Sequence, residues 1–287
     1  MDCIGITAND RKDGAAEFLE RFVPAIEAHG VRVVLDDVSA GHLNRSALPF
    51  DELVDAAELL VVLGGDGTML HAVQEMLPNL KPIIGVNVGT LGFLTFSTGD
   101  DPEETARIIC SGEYRISKRR LVEGVVKRDG KELHRVQALN EITLTRSNVA
   151  RMIRVEASVR GDVMNRYHAD GLIISTPTGS TAYSMSAGGP IVSPAAEVIL
   201  LTPICPHALS NRAVVVGDDE AIDLKVVTPN RDDRVVLTVD GHERHVISED
   251  DVLEVRLAEQ FLPLGMRSDR SFYEILRRKL RWHGSNV

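Results

Sequence analysis

Leu59-Leu60-Val61-Val62-Leu63-Gly64-Gly65-Asp66-Gly67-Thr68 is the stretch that decides the reading of this chain. Five apolar residues form a buried strand, three glycines surround one aspartate, and a helix starts at once with Met69, Leu70, Val73, Met76 and Leu77 on one face. Glycines let a backbone approach phosphate oxygens closely, and a fresh helix N-terminus offers free N–H groups and the positive end of its dipole. An acid repels phosphate, so Asp66 makes chemical sense if it holds a magnesium ion or removes a proton from an attacking hydroxyl. The loop is neither a Walker A motif nor the dinucleotide GxGxxG pattern. A tight strand-to-helix turn with Asp66 as a helix cap is the plainer alternative.

Working outward, segments 3–7, 31–35, Leu59–Leu63 and 82–88 read as strands that alternate with helical patterns. One such helix carries Phe18, Leu19, Phe22 and Ile26, with a kink expected at Pro24. Asp101-Pro102-Glu103-Glu104 opens a short helix that ends near Gly112. This alternation predicts a parallel α/β sheet. From about residue 117 the texture becomes β-rich, with strands expected at 121–127, 137–145, Ile153–Val159, 213–216, 221–227, Val235–Val239 and 252–257. Asp129-Gly130 and Asp240-Gly241 both read as hairpin turns. Residues 271–282 predict a terminal helix that packs back on the first domain through Phe272, Ile275, Leu276 and Leu280. Its Arg277-Arg278-Lys279 run reads as a solvated face.

At 287 residues the chain accommodates two ordinary domains. A formal charge of −10 argues against a nucleic-acid backbone as partner but not against a nucleotide. No apolar run approaches the roughly 20 residues of a membrane helix. The first residues read as a strand rather than a leader, and the protein is expected to work in the cytoplasm without membrane attachment. Cys3, Cys110 and Cys205 are far apart and are expected to be buried reduced thiols.

Two further segments carry chemistry. Thr176-Pro177-Thr178-Gly179-Ser180-Thr181-Ala182-Tyr183 is dense in hydroxyls and suits a ring edge and a sugar, although a polar turn cluster reads the same way. Asn140-Glu141 could hold ribose hydroxyls, an ionised glutamate accepting from two of them; on a regular strand the two side chains point to opposite faces. His207 in Cys205-Pro206-His207 reads as structural.

Taken in series, these segments resemble the NAD kinase family. The glycine-aspartate loop (64–68), an Asn-x-Gly-x-Leu-Gly-Phe-Leu segment (87–94), Asn140-Glu141, the hydroxyl-rich loop (176–183) and Pro-His-x-Leu-Ser-x-Arg (206–212) occur in the family's order. The resemblance implies a Rossmann-like α/β domain over 1–116 and a β-sandwich-like domain over 117–268 for NAD binding and oligomerisation, followed by a returning helix over 269–287. It implies transfer of a phosphoryl group from ATP to the 2′-hydroxyl of NAD's adenosine ribose, with Mg2+ or another divalent cation on the nucleotide. Asp66 would accept the hydroxyl proton, and Gly64, Gly65, Gly67 and Thr68 would form the phosphate loop, with Gly67 against the substrate. Asn140 and Glu141 would contact NAD hydroxyls and Phe93 would stack on adenine. Thr178 and Thr181 would address the base edge and Asp170 the nicotinamide side, with Ala182, Tyr183, Ser184, Met185 and Ser186 completing the pocket. By position, His71, Arg151, His168 and His242 also match contact sites. His168 stands where polyphosphate-accepting members tend to carry glycine, which favours ATP. Partners would be NAD, ATP and further copies of the chain, as a homodimer or homotetramer. A diacylglycerol-type lipid kinase and a non-catalytic NAD(H)-sensing module are the rival readings.

Overall fold

A computed structural model describes residues 1–9, 14–146, 152–208, 210–218, 220–227 and 235–282. The chain forms two compact units: residues 1–118 with 262–287, and residues 119–261.

In the first unit the order is β1 (Cys3–Ala8), α1 (Ala15–Ala28), β2 (Arg32–Leu35), α2 (Asp37–Leu43), α3 (Phe50–Ala56), β3 (Leu59–Leu63), α4 (Asp66–Met76), β4 (Ile83–Val86), β5 (Thr95–Ser97) and α5 (Pro102–Ser111). The strands are parallel and lie side by side as β2-β1-β3-β4-β5, the doubly wound order whose direction reverses between β1 and β3. Ligands in such sheets bind beyond the carboxyl ends of the strands at this reversal, where β1 runs into Asn9 and β3 into Gly64. These two strand ends are tied together. The Asn9 backbone N–H donates to the Leu63 carbonyl at 3.0 Å, and its side-chain amide donates to Thr68 Oγ1 at 3.1 Å.

Every residue of β3 is buried, as a strand covered on both faces requires. Ile4, Ile6, Leu59, Val61, Leu63, Ile84 and Val86 share one core with Phe18, Leu19, Phe22 and Ile26 of α1 and Ile108 of α5. Helix α1 runs through Pro24 and continues to Ala28. The ring removes only its own bond toward the Glu20 carbonyl, while Phe22, Val23 and Ile26 on either side remain buried and hold the helix to the sheet. Helix α5 begins as its sequence reads: Asp101 accepts from the Glu104 N–H, Pro102 follows, and Gly112 in the left-handed region ends it.

The second unit contains β6 (Tyr114–Arg128), β7 (Lys131–Ala138), β8 (Glu141–Arg146), β9 (Ile153–Val159), β10 (Asp162–Ala169), β11 (Gly171–Ser175), α6 (Tyr183–Ser186), β12 (Val198–Ile204), β13 (Val214–Gly217), β14 (Ile222–Val226), β15 (Val235–Val239), β16 (His242–Ile247) and β17 (Asp251–Arg267). β6 begins in the first unit, and β17 ends there. One antiparallel sheet runs β13-β12-β11-β8-β15-β16; the other contains β10-β9-β14-β17 and the β6–β7 hairpin. Their inner faces share a single core that includes Ile142, Leu144, Val155, Tyr167, Leu172, Ile174, Leu201, Leu224 and Leu237. This is a β-sandwich.

Three expectations need correction here. The strand expected over 137–145 is interrupted at Leu139 and Asn140, because their N–H groups go to a side chain rather than to a neighbouring strand. Asn140 therefore does not alternate with Glu141 on one strand. The strand expected over 252–257 is instead 17 residues long. Strands β7, β10, β12 and β16 are absent from the expectations above or merged into others. β10 and β16 lie at sheet edges, where one flank stays solvated and the sequence stays polar.

Helix α7 (Phe272–Lys279) belongs to the first unit, capped by Ser271 and buried through Ile275 and Leu276, with Arg277, Arg278 and Lys279 exposed. Of the cysteines, Cys3 is buried, Cys110 is partly so and Cys205 is exposed, which corrects the expectation of three buried thiols. No helix among the described residues is long and apolar enough to cross a membrane.

Candidate active site

Gly65 occupies the N-cap of α4 and Asp66 its first position. The Asp66 carboxylate does not cap that helix. It reaches the 87–94 segment, where Oδ2 accepts the Phe93 N–H and Oδ1 the Leu94 N–H, both at 3.0 Å. A Cβ on Gly92 would stand 2.1 Å from Asp66 Oδ1, so only glycine leaves room for the carboxylate against that backbone. The segment is itself fixed: the Gly92 N–H donates to Thr95 Oγ1 at 2.7 Å, the buried Asn87 donates its amide to the Thr90 carbonyl, and the Asn87 N–H donates to Ser97. The glycine-aspartate loop and the 87–94 segment thus form one object, although Asp66 and Phe93 lie 27 positions apart in the chain.

Each Asp66 oxygen has a second lone pair beyond the one its N–H partner uses. The side chain is only partly buried, and Gly67 beside it is exposed. The first helical bond of α4 runs from Met69 N–H to Gly65, which leaves the N–H groups of its first turn without helical acceptors. A partly open carboxylate therefore sits beside a donor-rich helix start that attracts anions. Phe93 is half-buried, with its ring centroid 6.4 Å from that of Phe272. His71 is exposed one turn further along α4 and pairs with Glu75 at 3.7 Å.

In the second unit, every backbone polar group of Leu139, Asn140 and Glu141 is paired. Asp240 Oδ2 accepts the Leu139 N–H at 2.9 Å, and Oδ1 accepts those of Asn140 at 2.8 Å and Glu141 at 3.1 Å. The Asp240 N–H donates back to the Glu141 carbonyl at 3.0 Å. Thr176 Oγ1 donates to the Leu139 carbonyl at 2.6 Å, while the Thr176 N–H and Ser175 Oγ donate to that of Asn140. A Cβ on Gly179 would lie 2.3 Å from the Asn140 carbonyl oxygen, so the hydroxyl-rich loop packs directly on this segment.

The Glu141 carboxyl is buried, and Oε2 has no hydrogen-bond partner among the described residues. Burial, and then the nearby Asp240 charge, push its pKa up to about 8. At neutral pH the group is therefore largely protonated and both donates and accepts, where the sequence pointed to an acceptor-only carboxylate.

The remaining positions divide by geometry. Thr178 is buried, and Thr181 Oγ1 donates to its carbonyl at 3.3 Å. Tyr183 and Ser186 are exposed, and Ala182 and Met185 are intermediate. Ser184 is fully buried and hydrogen-bonded to Thr202 at 2.9 Å, which turns its hydroxyl inward. Asp170 forms an ion pair with Arg146 at 3.1 Å. It precedes β11 at the Gly171–Thr145 end, whereas Glu141 pairs with Ser175 at the other. Four strand steps of ~3.3 Å put these two ends about 13 Å apart. His168 and His207 stay with Asp170, as the His207 N–H donates to the His168 carbonyl at 2.9 Å and the rings lie 5.7 Å apart. His242 is exposed at the start of β16, and Arg151 lies outside the described residues. Asp240 and Arg146 went unnoticed in the sequence: Asp-Gly reads as a turn, and nothing local marks Arg146 as the partner of Asp170.

Two family models match this chain, that of the ATP-NAD kinase N-terminal domain over residues 4–114 and that of its C-terminal domain over 139–264. The NAD kinase of Heliobacterium modesticaldum is 41% identical over 284 residues, covering 98% of this chain and 99% of that protein. The NAD kinase of Symbiobacterium thermophilum is 40% identical over 283 residues, covering 98% and 99%. Among solved structures, yeast NADH kinase complexed with NADH superimposes with a TM-score of 0.87 at 27% identity, covering all of this chain and 89% of that one. An NAD kinase from Archaeoglobus fulgidus in complex with ATP gives 0.75 at 26% identity, covering 98% and 100%. The fold and the loop around Asp66 define a two-unit α/β and β-sandwich phosphotransferase. The chain belongs to the NAD kinase family.

Two outcomes follow from this geometry. Gly92→Ala forces its Cβ onto the Asp66 carboxylate and is expected to cost about 1–3 kcal/mol in urea unfolding. Gly67→Ala, whose Cβ meets open space among the described residues, should change stability little. Equal effects would remove the close packing at Asp66. For Glu141, a carboxyl pKa raised on folding contributes stability that is present below its unfolded value and is lost as pH rises through about 8. Wild type should therefore lose stability relative to Glu141→Gln between pH 5 and pH 8.5. A gap that stays constant across that range would mean that Glu141 is ionised throughout.

Proposed function

We propose that this protein transfers the terminal phosphoryl group of ATP to the 2′-hydroxyl of the adenosine ribose of NAD, producing NADP. The observation that carries the reading is the Asp66 carboxylate, held by the Phe93 and Leu94 N–H groups beside the start of α4. In this reading Asp66 takes the 2′-hydroxyl proton as the oxygen attacks the γ-phosphorus, and ADP leaves with the bridging oxygen. The 64–68 loop and the first N–H groups of α4 receive donor phosphate. Phe93 stacks on adenine with Phe272 behind it, Asn140 and the protonated Glu141 fix ribose hydroxyls, and Thr178 and Thr181 address the base. Asp170 and Tyr183 contact the remainder of the dinucleotide.

Among the described residues no three His, Cys, Asp or Glu side chains converge as a metal cage. A single partly open carboxylate at the phosphate loop fits a divalent cation that arrives with the nucleotide, as magnesium commonly does. Such an ion neutralises charge on the transferring group. His168 supports ATP over polyphosphate as donor. We assign residues 119–261 to NAD binding and to assembly of a homodimer or homotetramer, working in the cytoplasm. The lipid-kinase and sensor readings gain no support from the relatives described above.

The test is NADP+ formation from NAD+, ATP and Mg2+ by purified wild type and Asp66→Asn. Removing a general base is expected to lower turnover by ~10²–10⁴-fold with NAD+ affinity retained. Near-normal turnover in Asp66→Asn would take Asp66 out of the mechanism, and no product from wild type would defeat the reading.

A further inference from the structure

We propose that Asp240 is a positioning residue for NAD binding: by gathering the N–H groups of Leu139, Asn140 and Glu141 on one carboxylate, it sets where the hydroxyl-binding pair stands. The inference rests on the NAD kinase reading above and extends it to a residue outside the substrate contacts.

The chain contains its own control. Asp129-Gly130 and Asp240-Gly241 are the same hairpin turn, with φ of 49° and 72° in the first and 48° and 84° in the second. Aspartate tolerates this left-handed conformation better than most residues, and glycine adopts it freely, which is all that the turn itself requires. Asp129 is exposed, as a residue at a hairpin tip ordinarily is. Asp240 is buried, and its carboxylate points back across the end of the sheet to accept three consecutive N–H groups between 2.8 and 3.1 Å.

The placement of those three donors explains the break between β7 and β8. At Leu139 and Asn140 the chain leaves one sheet before entering the other, so no strand neighbour takes their N–H groups. A buried N–H without an acceptor is strongly disfavoured, and hydrogen bonds to a charged acceptor are stronger than neutral ones. The carbonyls on the other side of the same segment are held by Ser175 and Thr176 of the hydroxyl-rich loop. Asp240 thus supplies the half of the clamp that the loop does not. Its charge also acts on the Glu141 carboxyl, as described above.

Steady-state kinetics on full-length wild type, Asp240→Asn and Asp129→Asn, with NAD+ and ATP varied separately, test the proposal. Asparagine keeps the turn but offers one acceptor oxygen where three N–H groups converge, and it turns an NH2 toward one of them. The expected result for Asp240→Asn is a KM for NAD+ raised about tenfold or more, with kcat and the KM for ATP within about twofold of wild type. Asp129→Asn should match wild type. A purely structural role would instead lower the thermal midpoint and the active fraction while leaving both KM values unchanged, and that pattern overturns the proposal. Hydrogen exchange on the wild type decides the matter if Asp240→Asn does not fold. Amides 139–141 should exchange as slowly as those inside β8, and exchange at the rate of exposed loops would overturn it. Absence of NADP+ from wild type would defeat the functional reading alone, since the exchange measurement still reports whether Asp240 anchors the segment.

Discussion

Where strands end and loops begin, backbone N–H groups lose their ladder partners, and in this protein buried or half-buried aspartates take them up. Asp66 accepts from Phe93 and Leu94, and Asp240 accepts from Leu139, Asn140 and Glu141. Asp36 does the same at the start of α2, where it accepts from Ser39 and also from Ala8 and the Thr7 hydroxyl. The need to satisfy these donors shapes the loops in which they lie.

The same device serves two different ends. Around Asp240 three donors crowd two oxygens in a buried setting, so that carboxylate is spent on architecture. Around Asp66 there is one donor per oxygen, the side chain is half open, and the adjoining Gly67 is exposed. Each Asp66 oxygen keeps a second lone pair. Glu141, in contrast, is buried beside Asp240 and holds its proton to about pH 8. These three acids thus differ in hydrogen bonding and exposure because their surroundings differ.

Much of this was legible in the sequence for identifiable reasons. Leu59–Leu63 has no polar residue and ends in glycines, so its strand boundaries were read without error, and the alternation around it specified a parallel sheet. Strands at sheet edges were harder. β16, with His-Glu-Arg-His at its start, lacks an apolar pattern because it pairs on one side only. The interruption at 139–140 was not legible, since Leu139 continues the apolar texture and only the distant Asp240 accounts for it. Asp129-Gly130 and Asp240-Gly241 are identical as dipeptides, and their difference lies entirely in which neighbours the sheets bring to them. The link from Asp66 to Phe93 was likewise invisible: two motifs could be seen, but not that the carboxylate of one rests on the backbone of the other. Family resemblance supplied the roles; the hydrogen bonds supply the reason why those residues occupy their positions.

The proposed acceptor of the phosphoryl group is the 2′-hydroxyl of the adenosine ribose of NAD. The most direct measurement is 31P NMR of the product formed from NAD+ and ATP, which locates the new phosphate. A single monoester on the 2′-oxygen of the adenosine ribose and an equal amount of ADP are expected. A monoester on the 3′-oxygen or on the nicotinamide ribose, or ADP released with only inorganic phosphate, would contradict that proposal.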